Sequence, residues 1–336
     1  MEHNVCAGRW LSVDLERSQI AVEQVAGHEL RTWLLGSGFA AHLLSETWDL
    51  SLDPLHPHSP LLVFNGLLTG TFAPGAARTS WCGRSPLTGI WNESNVGGFW
   101  GAELRFVGFD GVVVRGRASS PVYLWIRDGQ AEIRDGSAVW GLGTFETYDR
   151  LREETDDRAQ VATIGPAGEN LVRMAGVMVG GQAHNRAAGR AGNDRLASNE
   201  ETVRVVIDFQ NYMATYNPLG LCKFMVKGGL DPARTTELLN AAAGWEWSAD
   251  DLLRTGERFF NLKRLINLRL GITGADDALP QRFVTEPRPS GTAADNVPDM
   301  EDLLPRYYAR RGWSPQGRPT PECLERLGLG RTDGCN

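Results

Sequence analysis

The stretch PVYLWIRDGQAEIRD, residues 121–135, carries two segments of alternating side chains, one on each side of Asp128-Gly129. An Asp-Gly pair in this position is the strongest short-range signal for a two-residue β-hairpin. The stretch therefore predicts two strands joined by a tight turn. Other short β-like runs lie in the same half of the chain: GRWLSVDL at 8–15, PLLVFNG at 60–66 and DGVVVRG at 110–116.

Helical patterns occur between these β-like runs. Arg31–Thr47 and Thr144–Thr155 both have the spacing of apolar residues that is typical of a helix. We therefore expect residues 1–190 to form mostly sheet with some helices, rather than an all-β domain.

The second half of the chain has a helical character after Gly192. Val203–Tyr216 places its apolar residues close to one helix face. Ser248 and Asp251 form an acidic capping box, which predicts the start of a further helix. From Pro287 onward the chain is rich in proline and polar residues, so we expect an ordered surface wrap or a frayed tail. The fold class is therefore predicted to be α+β, with a β-rich first part and a small helical second part.

The overall composition narrows the class of protein. The 336 residues are 42% hydrophobic and 22% charged, which is ordinary for a globular protein and excludes disordered and collagen-like classes. Lys plus Arg number 34 against 41 for Asp plus Glu, and the net charge of -7 disfavours a nucleic-acid partner. No apolar run approaches the roughly 20 residues that span a bilayer, and Met1–Leu11 lacks the features of a signal peptide. We expect a cytoplasmic protein with no membrane partner.

The cysteines do not form a local metal or disulfide motif. They are widely scattered, and no C-x-x-C pair occurs, so the spacing predicts neither a disulfide framework nor a self-contained zinc or cluster site. All six histidines precede residue 185, so any histidine chemistry must come from the first half. The five cysteines are Cys6, Cys82, Cys222, Cys323 and Cys335.

Three glycine-rich patches are candidates for ligand binding. Small residues let the backbone approach a ligand closely, and an Arg or Asn in each patch supplies hydrogen-bond donors, which suits an anionic ligand. Taken singly, each patch is better interpreted as a tight turn with a solvated arginine. None matches a P-loop or a dinucleotide fingerprint. The patches are TGTFAPGAARTS at 69–80 with Arg78, SPLTGIWNESNVGGFWGAEL at 85–104 with Asn95, Gly97 and Gly98, and HNRAAGRAG at 184–192 with Arg186 and Arg190.

Runs along nearly the whole chain resemble the tungsten-dependent aldehyde:ferredoxin oxidoreductases. GRWLSVDL, LGSGFAAHLL, the three glycine-rich patches and IGPAGENLVRMAGVM resemble the N-terminal domain of that family. FQNYMATYNPLGLCKF, LLNAAAGWEWSADDLLRTGERFFNLKRLINLRLG, LPQRFVTEP and LLPRYYARRGW resemble its C-terminal end. The chain is identified on these motifs as an internally shortened member.

The resemblance implies a two-sheet β platform on which a tungsten or molybdenum bis-pyranopterin rests, with magnesium bridging the pterin phosphates. Cationic side chains and backbone N–H groups suit such phosphates. The positions that the resemblance assigns to cofactor binding are Arg78, Asn95, Gly97, Gly98, Arg186, Ala187, Asn217, Gly220 and Leu221.

The chain departs from the family between Gly192 and about Val203. The resemblance implies a long helical region there, which would supply a C-x-x-C-x-x-x-C triplet for a [4Fe–4S] cluster, an Asp-rich pterin motif, and the Glu and His proposed as acid and base. Only a short polar linker is present. The predicted domains are a pterin-binding domain at 1–192, a linker at 193–202, a helical C-terminal-like domain at 203–286 and a surface-wrapping tail at 287–336.

Cys222 resembles the fourth cluster ligand of the family, in a D-x-x-G-L-C motif whose Asp is here Asn217. One thiolate cannot hold a cubane that takes four, so a [4Fe–4S] cluster is not expected in this chain alone. Either Cys222 is an orphaned ligand that packs as a small buried hydrophobe, or another chain brings the partner ligands; we favour the first. An amide at position 217 offers one acceptor beside two donors, so we expect weaker pterin binding there.

Other polar residues of the first half are weaker candidates. Glu103 and Asp110 lie near the implied pterin site, although loop carboxylates usually cap helices or form ion pairs. We expect His184 to be solvated and His42 to be a partly buried structural imidazole. A lost domain should also leave an apolar surface bare, which invites self-association or a partner subunit.

The resemblance leaves three alternatives for the role of the chain. The first is an oxidoreductase that converts an aldehyde to a carboxylate and passes electrons to a separate acceptor. The second is a non-catalytic pterin-binding or regulatory subunit, and the third is a remnant without a ligand. The partners considered are a second copy of the chain, a full-length family member and an iron–sulfur electron-transfer subunit. We expect the isolated chain to be inactive.

Overall fold

The structure is a computed structural model that describes residues 6–173, 197–291 and 294–330. The chain divides into two units, which are described separately. Unit 1 comprises Met1–Val179, Tyr216–Cys222 and Ala241–Trp245, and unit 2 comprises Gly180–Thr215, Lys223–Asn240 and Glu246–Asn336. The domain boundaries expected from the sequence stay a prediction.

A six-stranded sheet organises unit 1. Its strand order is β2-β1-β6-β3-β4-β5, and all neighbours are antiparallel except β1 and β6. The β-like runs of the sequence supply three of these strands. The strands are β1 Arg9–Asp14, β2 Gln19–Gln24, β3 Leu61–Asn65, β4 Thr79–Arg84, β5 Trp91–Val96 and β6 Gly111–Arg115.

The hairpin predicted at Asp128-Gly129 is confirmed. Strand β7, Val122–Arg127, pairs antiparallel with strand β8, Gln130–Asp135. Asp128 and Gly129 have φ of 49° and 78°, the left-handed backbone that a two-residue turn of this kind requires. The second sheet of unit 1 is this hairpin.

The hairpin packs on a core beneath the six-stranded sheet. Leu11, Val13, Leu104, Phe109 and Val112 form the buried cluster, and apolar side chains of β7 and β8 pack against it. Burying these side chains stabilises each by about 1.5–3 kcal/mol relative to exposure. The two sheets and the helices that follow make the α+β fold expected from the sequence.

The helices begin and end as follows. They are α1 Gly27–Trp33, α2 Gly36–Thr47, α3 Trp100–Phe106, α4 Thr144–Glu154, α5 Pro166–Glu169, α6 Glu200–Ala214, α7 Tyr216–Leu219, α8 Phe224–Lys227, α9 Pro232–Ala243, α10 Ala249–Arg269, α11 Gln281–Thr285, α12 Met300–Arg311 and α13 Pro321–Arg326. No helix in the described ranges is both long and apolar enough to cross a membrane.

The helix expected over Arg31–Thr47 is broken in two. Leu34 and Gly36 have φ of 55° and 54°, so the backbone turns between α1 and α2. A Cβ on Gly36 would lie 2.4 Å from the Asn217 carbonyl oxygen, so a close approach of two segments requires glycine there. The sequence prediction missed this break because its cause lies far away along the chain.

Helices α6, α10 and α12 form the centre of unit 2. A Cβ on Gly256 would lie 1.8 Å from the Asn211 carbonyl oxygen, so glycine allows α10 to approach α6 closely. The predicted capping box is confirmed, since Ser248 Oγ accepts from the Asp251 amide at 3.2 Å and Asp251 Oδ2 accepts from the Ser248 amide at 2.9 Å.

The segment after Pro287 contributes to the core of unit 2. Tyr308, Trp313 and Cys323 are buried, and Trp313 Nε1 donates to Asn261 Oδ1 at 2.7 Å. Aromatic residues in this segment fill space against α10, so it holds more buried structure than its proline-rich composition indicates.

Candidate functional site

Three segments of unit 1 meet at the candidate site. They are the loop 66–78 between β3 and β4, the end of β5 with the glycines that follow it, and the turn 216–222. The loop and the turn are joined through their backbones: the amides of Leu67 and Leu68 donate to the carbonyls of Pro218 and Leu219 at 2.8 and 3.0 Å. Segments that are far apart in the sequence are thereby held side by side.

Glycines allow this contact. A Cβ on Gly66 would lie 1.9 Å from the Gly220 amide nitrogen, and Gly220 itself has φ of 76°. The Gly220 carbonyl accepts from the Arg78 amide at 3.1 Å. Gly220 is therefore needed for close backbone contact, and its predicted role as a direct cofactor contact stays a prediction.

A buried ion pair supports the loop. Arg105 Nε donates to Asp110 Oδ1 at 2.7 Å, and its terminal nitrogens donate to the carbonyls of Gly66 and Leu67 at 3.1 and 2.9 Å and to that of Thr69. Asp110 Oδ2 accepts from the Gly8 amide at 2.7 Å. Asp110 is thus an ion-pair partner, as a loop carboxylate was expected to be, and Arg105 is a supporting residue that the sequence reasoning missed.

Arg78 and Cys222 lie together at the site. Arg78 Nη2 donates to Cys222 Sγ at 3.1 Å, and the Cys222 amide donates to the Gly75 carbonyl at 2.9 Å. A Cβ on Gly97 would lie 3.1 Å from the Arg78 guanidinium. Cys222 is half-buried, so the expectation that it packs as a buried hydrophobe is wrong: its sulfur accepts a hydrogen bond from a cation at the edge of the site.

Asn95 and Asn217 also meet, and both connect to Glu93. Asn95 Nδ2 donates to Asn217 Oδ1 at 2.7 Å, and Asn217 Nδ2 donates to Glu93 Oε1 at 3.0 Å. Glu93 is only 8% exposed, and Trp91 Nε1 donates to its other oxygen at 3.3 Å. The sequence reasoning missed Glu93, although a carboxylate on the buried face of a strand is itself a signal.

The remaining predicted site residues have different surroundings. Gly98 has φ of 104° and open space where a Cβ would lie. Leu221 is buried and forms an isolated β-bridge with Ala76. Arg186, Ala187 and His184 lie outside the described residues.

The structure describes two of the weaker candidates, Glu103 and His42. Glu103 is exposed in the first turn of α3. His42 stacks on Trp33 with ring centroids 4.3 Å apart, and its Nε2 lies 3.7 Å from Glu29. Burial lowers the pKa of His42 despite the nearby carboxylates. His42 is therefore a partly buried structural imidazole, as expected.

Within the described ranges, no group of three or more His, Cys, Asp or Glu side chains is arranged to hold a metal ion. Cys82 and Cys323 are buried and form no disulfide with a described residue, and burial raises the pKa of Cys6 to about 12. Whether Cys222 is an orphaned cluster ligand stays a prediction.

Aromatic side chains are exposed near the site. Phe72 in the loop, Phe99 after the paired glycines and Phe106 at the end of α3 are all largely exposed. Phe106 lies beside the same loop, since a Cβ built on Gly70 would lie 3.6 Å from its ring. The apolar surface expected from a lost domain stays a prediction.

Comparison with known proteins places this chain in a family. The model of the aldehyde ferredoxin oxidoreductase N-terminal domain matches residues 10–197, more than half of the chain, and the model of domains 2 and 3 matches residues 166–329. The chain belongs to the aldehyde ferredoxin oxidoreductase family. The resemblance found in the sequence motifs is thereby confirmed.

Individual relatives match only part of their own length. The tungsten-containing aldehyde ferredoxin oxidoreductase of Pyrococcus furiosus is 40% identical over 202 residues, which cover 60% of this chain and 33% of the relative. The aliphatic sulfonate oxidoreductase, WOR-like subunit, of the same organism is 34% identical over 188 residues, covering 51% of this chain and 30% of the relative. The aligned part spans about a third of these relatives.

A solved structure shares the fold. The active site complex BamBC of benzoyl coenzyme A reductase, in complex with 1,5-dienoyl-CoA, contains a chain that superposes with a TM-score of 0.82 at 16% identity. The match covers 99% of this chain and 98% of the other. At this identity the likeness shows the fold.

Proposed function

We propose that unit 1 binds a tungsten or molybdenum bis-pyranopterin with its magnesium ion, and that the chain takes part in oxidising an aldehyde to a carboxylate. The observation that carries this proposal is the convergence of Arg78, Asn95, Gly97 and the turn 216–222 at one locus. Residues that the family resemblance assigned separately to cofactor binding are brought together by direct hydrogen bonds.

The donor set fits an anionic heterocycle. Arg78 offers a guanidinium that pairs with phosphate, Asn95 offers an amide for a ring edge, and Gly97 and Gly98 let a flat ligand approach the backbone. When bound, such a cofactor supplies the oxygen-atom and two-electron chemistry, and the protein supplies binding and orientation. Arg78 would hold the phosphates, and the amides would orient the ring.

In this proposal, a partner subunit is required to carry electrons away from the cofactor. Cys222 alone does not suffice for a [4Fe–4S] cluster, which takes four cysteine ligands. One relative is named as a subunit, and the solved complex contains more than one kind of chain. These names and the exposed Phe72 and Phe99 support a partner subunit. We propose that this partner carries an iron–sulfur cluster, with a second copy or a full-length family member as the other partners to test.

One observation favours a non-catalytic role as the second candidate. Both ends of the Asn217 amide are occupied by the chain's own Asn95 and Glu93, so Asn217 is engaged before any cofactor arrives. A chain that holds the pterin weakly and passes it on, or regulates a full-length relative, would tolerate this.

Metal analysis of the purified full chain tests the proposal. We expect less than one tungsten or molybdenum per chain, no iron, and no viologen-linked aldehyde oxidation by the chain alone. Arg78→Ala should lower the retained metal, whereas Arg17→Ala, a change at an exposed arginine in the turn between β1 and β2, should not. Absence of both metals would overturn cofactor binding, and iron near four per chain would overturn the need for a partner's cluster ligands.

A further inference from the structure

Glu93 sits behind the candidate site, and neither the family assignment nor the proposed function gives it a role. We propose that Glu93 sets the direction of a chain of hydrogen bonds through Asn217 to Asn95, and thereby makes the site present a hydrogen-bond acceptor to its ligand. The part of this inference that concerns the ligand rests on the proposed function.

The direction follows from the two ends of the chain. The orientation of an amide side chain is decided by its hydrogen-bond partners, because its oxygen and nitrogen have nearly the same shape. An indole N–H only donates, and a carboxylate only accepts. Trp91 Nε1 donates to one Glu93 oxygen at 3.3 Å, and the other oxygen lies 3.0 Å from the Asn217 amide.

Each link then determines the next. Glu93 requires the Asn217 nitrogen on its side, so the Asn217 oxygen must face Asn95. Asn95 must therefore donate through Nδ2, which it does at 2.7 Å. Its own Oδ1 is the remaining acceptor, and no described residue donates to it. Asn95 is half-buried and directly precedes the exposed stretch Val96–Phe99.

The unused acceptor selects a class of ligand. Asn95 Oδ1 would bind a ligand N–H or NH₂ group, such as the 2-amino-4-oxo edge of a pterin ring, and would repel a ring carbonyl in the same place. Sites that hydrogen-bond a ligand donor discriminate against analogues that lack it, because buried groups are left unpaired.

The same geometry couples position 217 to position 93. An aspartate at 217 would place a carboxylate oxygen about 3 Å from that of Glu93, where two ionised carboxylates repel each other strongly. Asn217 is thus the residue that Glu93 requires. The amide at this position, which first suggested weakened pterin binding, is part of a matched pair.

A double-mutant cycle on the full chain tests the coupling. Asn217→Asp should lower the urea midpoint of unfolding clearly. Adding Glu93→Gln should restore most of the loss, because the introduced amide donates to the introduced carboxylate, which still accepts from Asn95. The control Glu23→Gln, at an exposed position of β2, should restore nothing. Additive effects of the two site changes would overturn the directing role of Glu93.

A pair of probes tests the presented acceptor. Pterin-6-carboxylate carries the 2-amino group, and lumazine-6-carboxylate carries a carbonyl in its place; fluorescence titration measures both. We expect wild type to prefer the pterin by about tenfold. Glu93→Gln should reduce this preference, because the amide chain is then free to reverse, and Asn217→Asp with Glu93→Gln should recover it.

The outcomes separate the two proposals. Equal binding of both probes by wild type, or a preference that Glu93→Gln leaves unchanged, overturns the presented acceptor while cofactor binding stands. Binding of neither probe counts against the proposed function and the ligand half of the inference together, and the unfolding cycle still decides the role of Glu93.

Discussion

Arg78 in unit 1 and Arg311 in unit 2 are both held by the fold, but in opposite ways. Arg311 is 1% exposed, donates to Asn211, Gln210 and Tyr307 at 2.6, 2.7 and 3.1 Å, and lies 4.0 Å from the Phe260 ring centroid. Arg78 is half-buried and donates from its side chain to Cys222 Sγ. A buried cation with several neutral partners stabilises a scaffold, whereas a half-buried cation with spare donors can bind a ligand.

Asparagine side chains show the same contrast between unit 1 and unit 2. Asn211 Oδ1 and Asn261 Oδ1 are used inside unit 2, by Arg311 and Trp313 respectively. Asn95 in unit 1 uses one donor and keeps its oxygen unused among the described residues. A hydrogen-bond acceptor that is unused at a half-buried position therefore distinguishes the candidate site from structural polar clusters.

The largest effect should come from the scaffold arginine. Arg311→Ala removes a buried cation and takes a hydrogen-bond donor from the buried Asn211 and from the half-buried Gln210 and Tyr307, so we expect a loss of about 3 kcal/mol or more in the free energy of unfolding. Urea unfolding and hydrogen exchange of the α6 and α12 amides measure this. Arg310→Ala is the matched control, because Arg310 is more exposed and pairs with Glu200; its effect should stay below about 0.5 kcal/mol. A small loss of stability in Arg311→Ala would contradict the contrast between Arg311 and Arg78.

Gly66→Ala should produce the next largest effect. The added Cβ would lie 1.9 Å from the Gly220 nitrogen, so the loop and the turn must separate. We expect a loss of about 3 kcal/mol of stability together with reduced metal retention. Gly27→Ala is the matched control, because Gly27, like Gly66, has no positive φ, and a Cβ there meets nothing within 4 Å. Equal losses for both changes would show that the contact with Gly220 does not cause the loss.

Arg78→Ala should separate stability from binding. Because Arg78 is half-buried, we expect less than about 1 kcal/mol change in stability, but about a tenfold or greater loss of pterin affinity. Arg78→Lys should recover only part of the affinity, since an ammonium lacks the planar fork. Unfolding and probe titration on the same preparation measure both quantities. A large stability loss with unchanged affinity would make Arg78 a second scaffold arginine.

The smallest effect concerns His42. Its pKa is lowered by burial, so the unfolded chain binds a proton more readily than the folded one. The stabilisation by neutral His42 is complete above the pKa of a histidine in the unfolded chain, about 6.5, and it falls as the pH drops below that value. His42→Gln should flatten the decline in urea midpoint between about pH 7.5 and 5.5. A decline that His42→Gln leaves unchanged would contradict the role of His42.

Local signals were enough for several elements. The hairpin at Asp128-Gly129 and the capping box at Ser248 depend on residues within a few positions of each other, so the printed sequence contains their whole cause. The family motifs likewise assigned Arg78, Asn95 and Asn217 to cofactor binding and Cys222 to a cluster-ligand position before any contact was known.

Tertiary structure alone decided how those members are arranged. Glu93 and Asn217 are 124 positions apart and Arg78 and Cys222 are 144 apart, so no local pattern reports their pairing. The break at Leu34 has the same origin, because Gly36 must pass the backbone of Asn217. Sequence therefore determined which residue types were available and where short elements form. The direction of a hydrogen bond and the spare capacity of a side chain depend on distant partners that only the folded chain brings into contact.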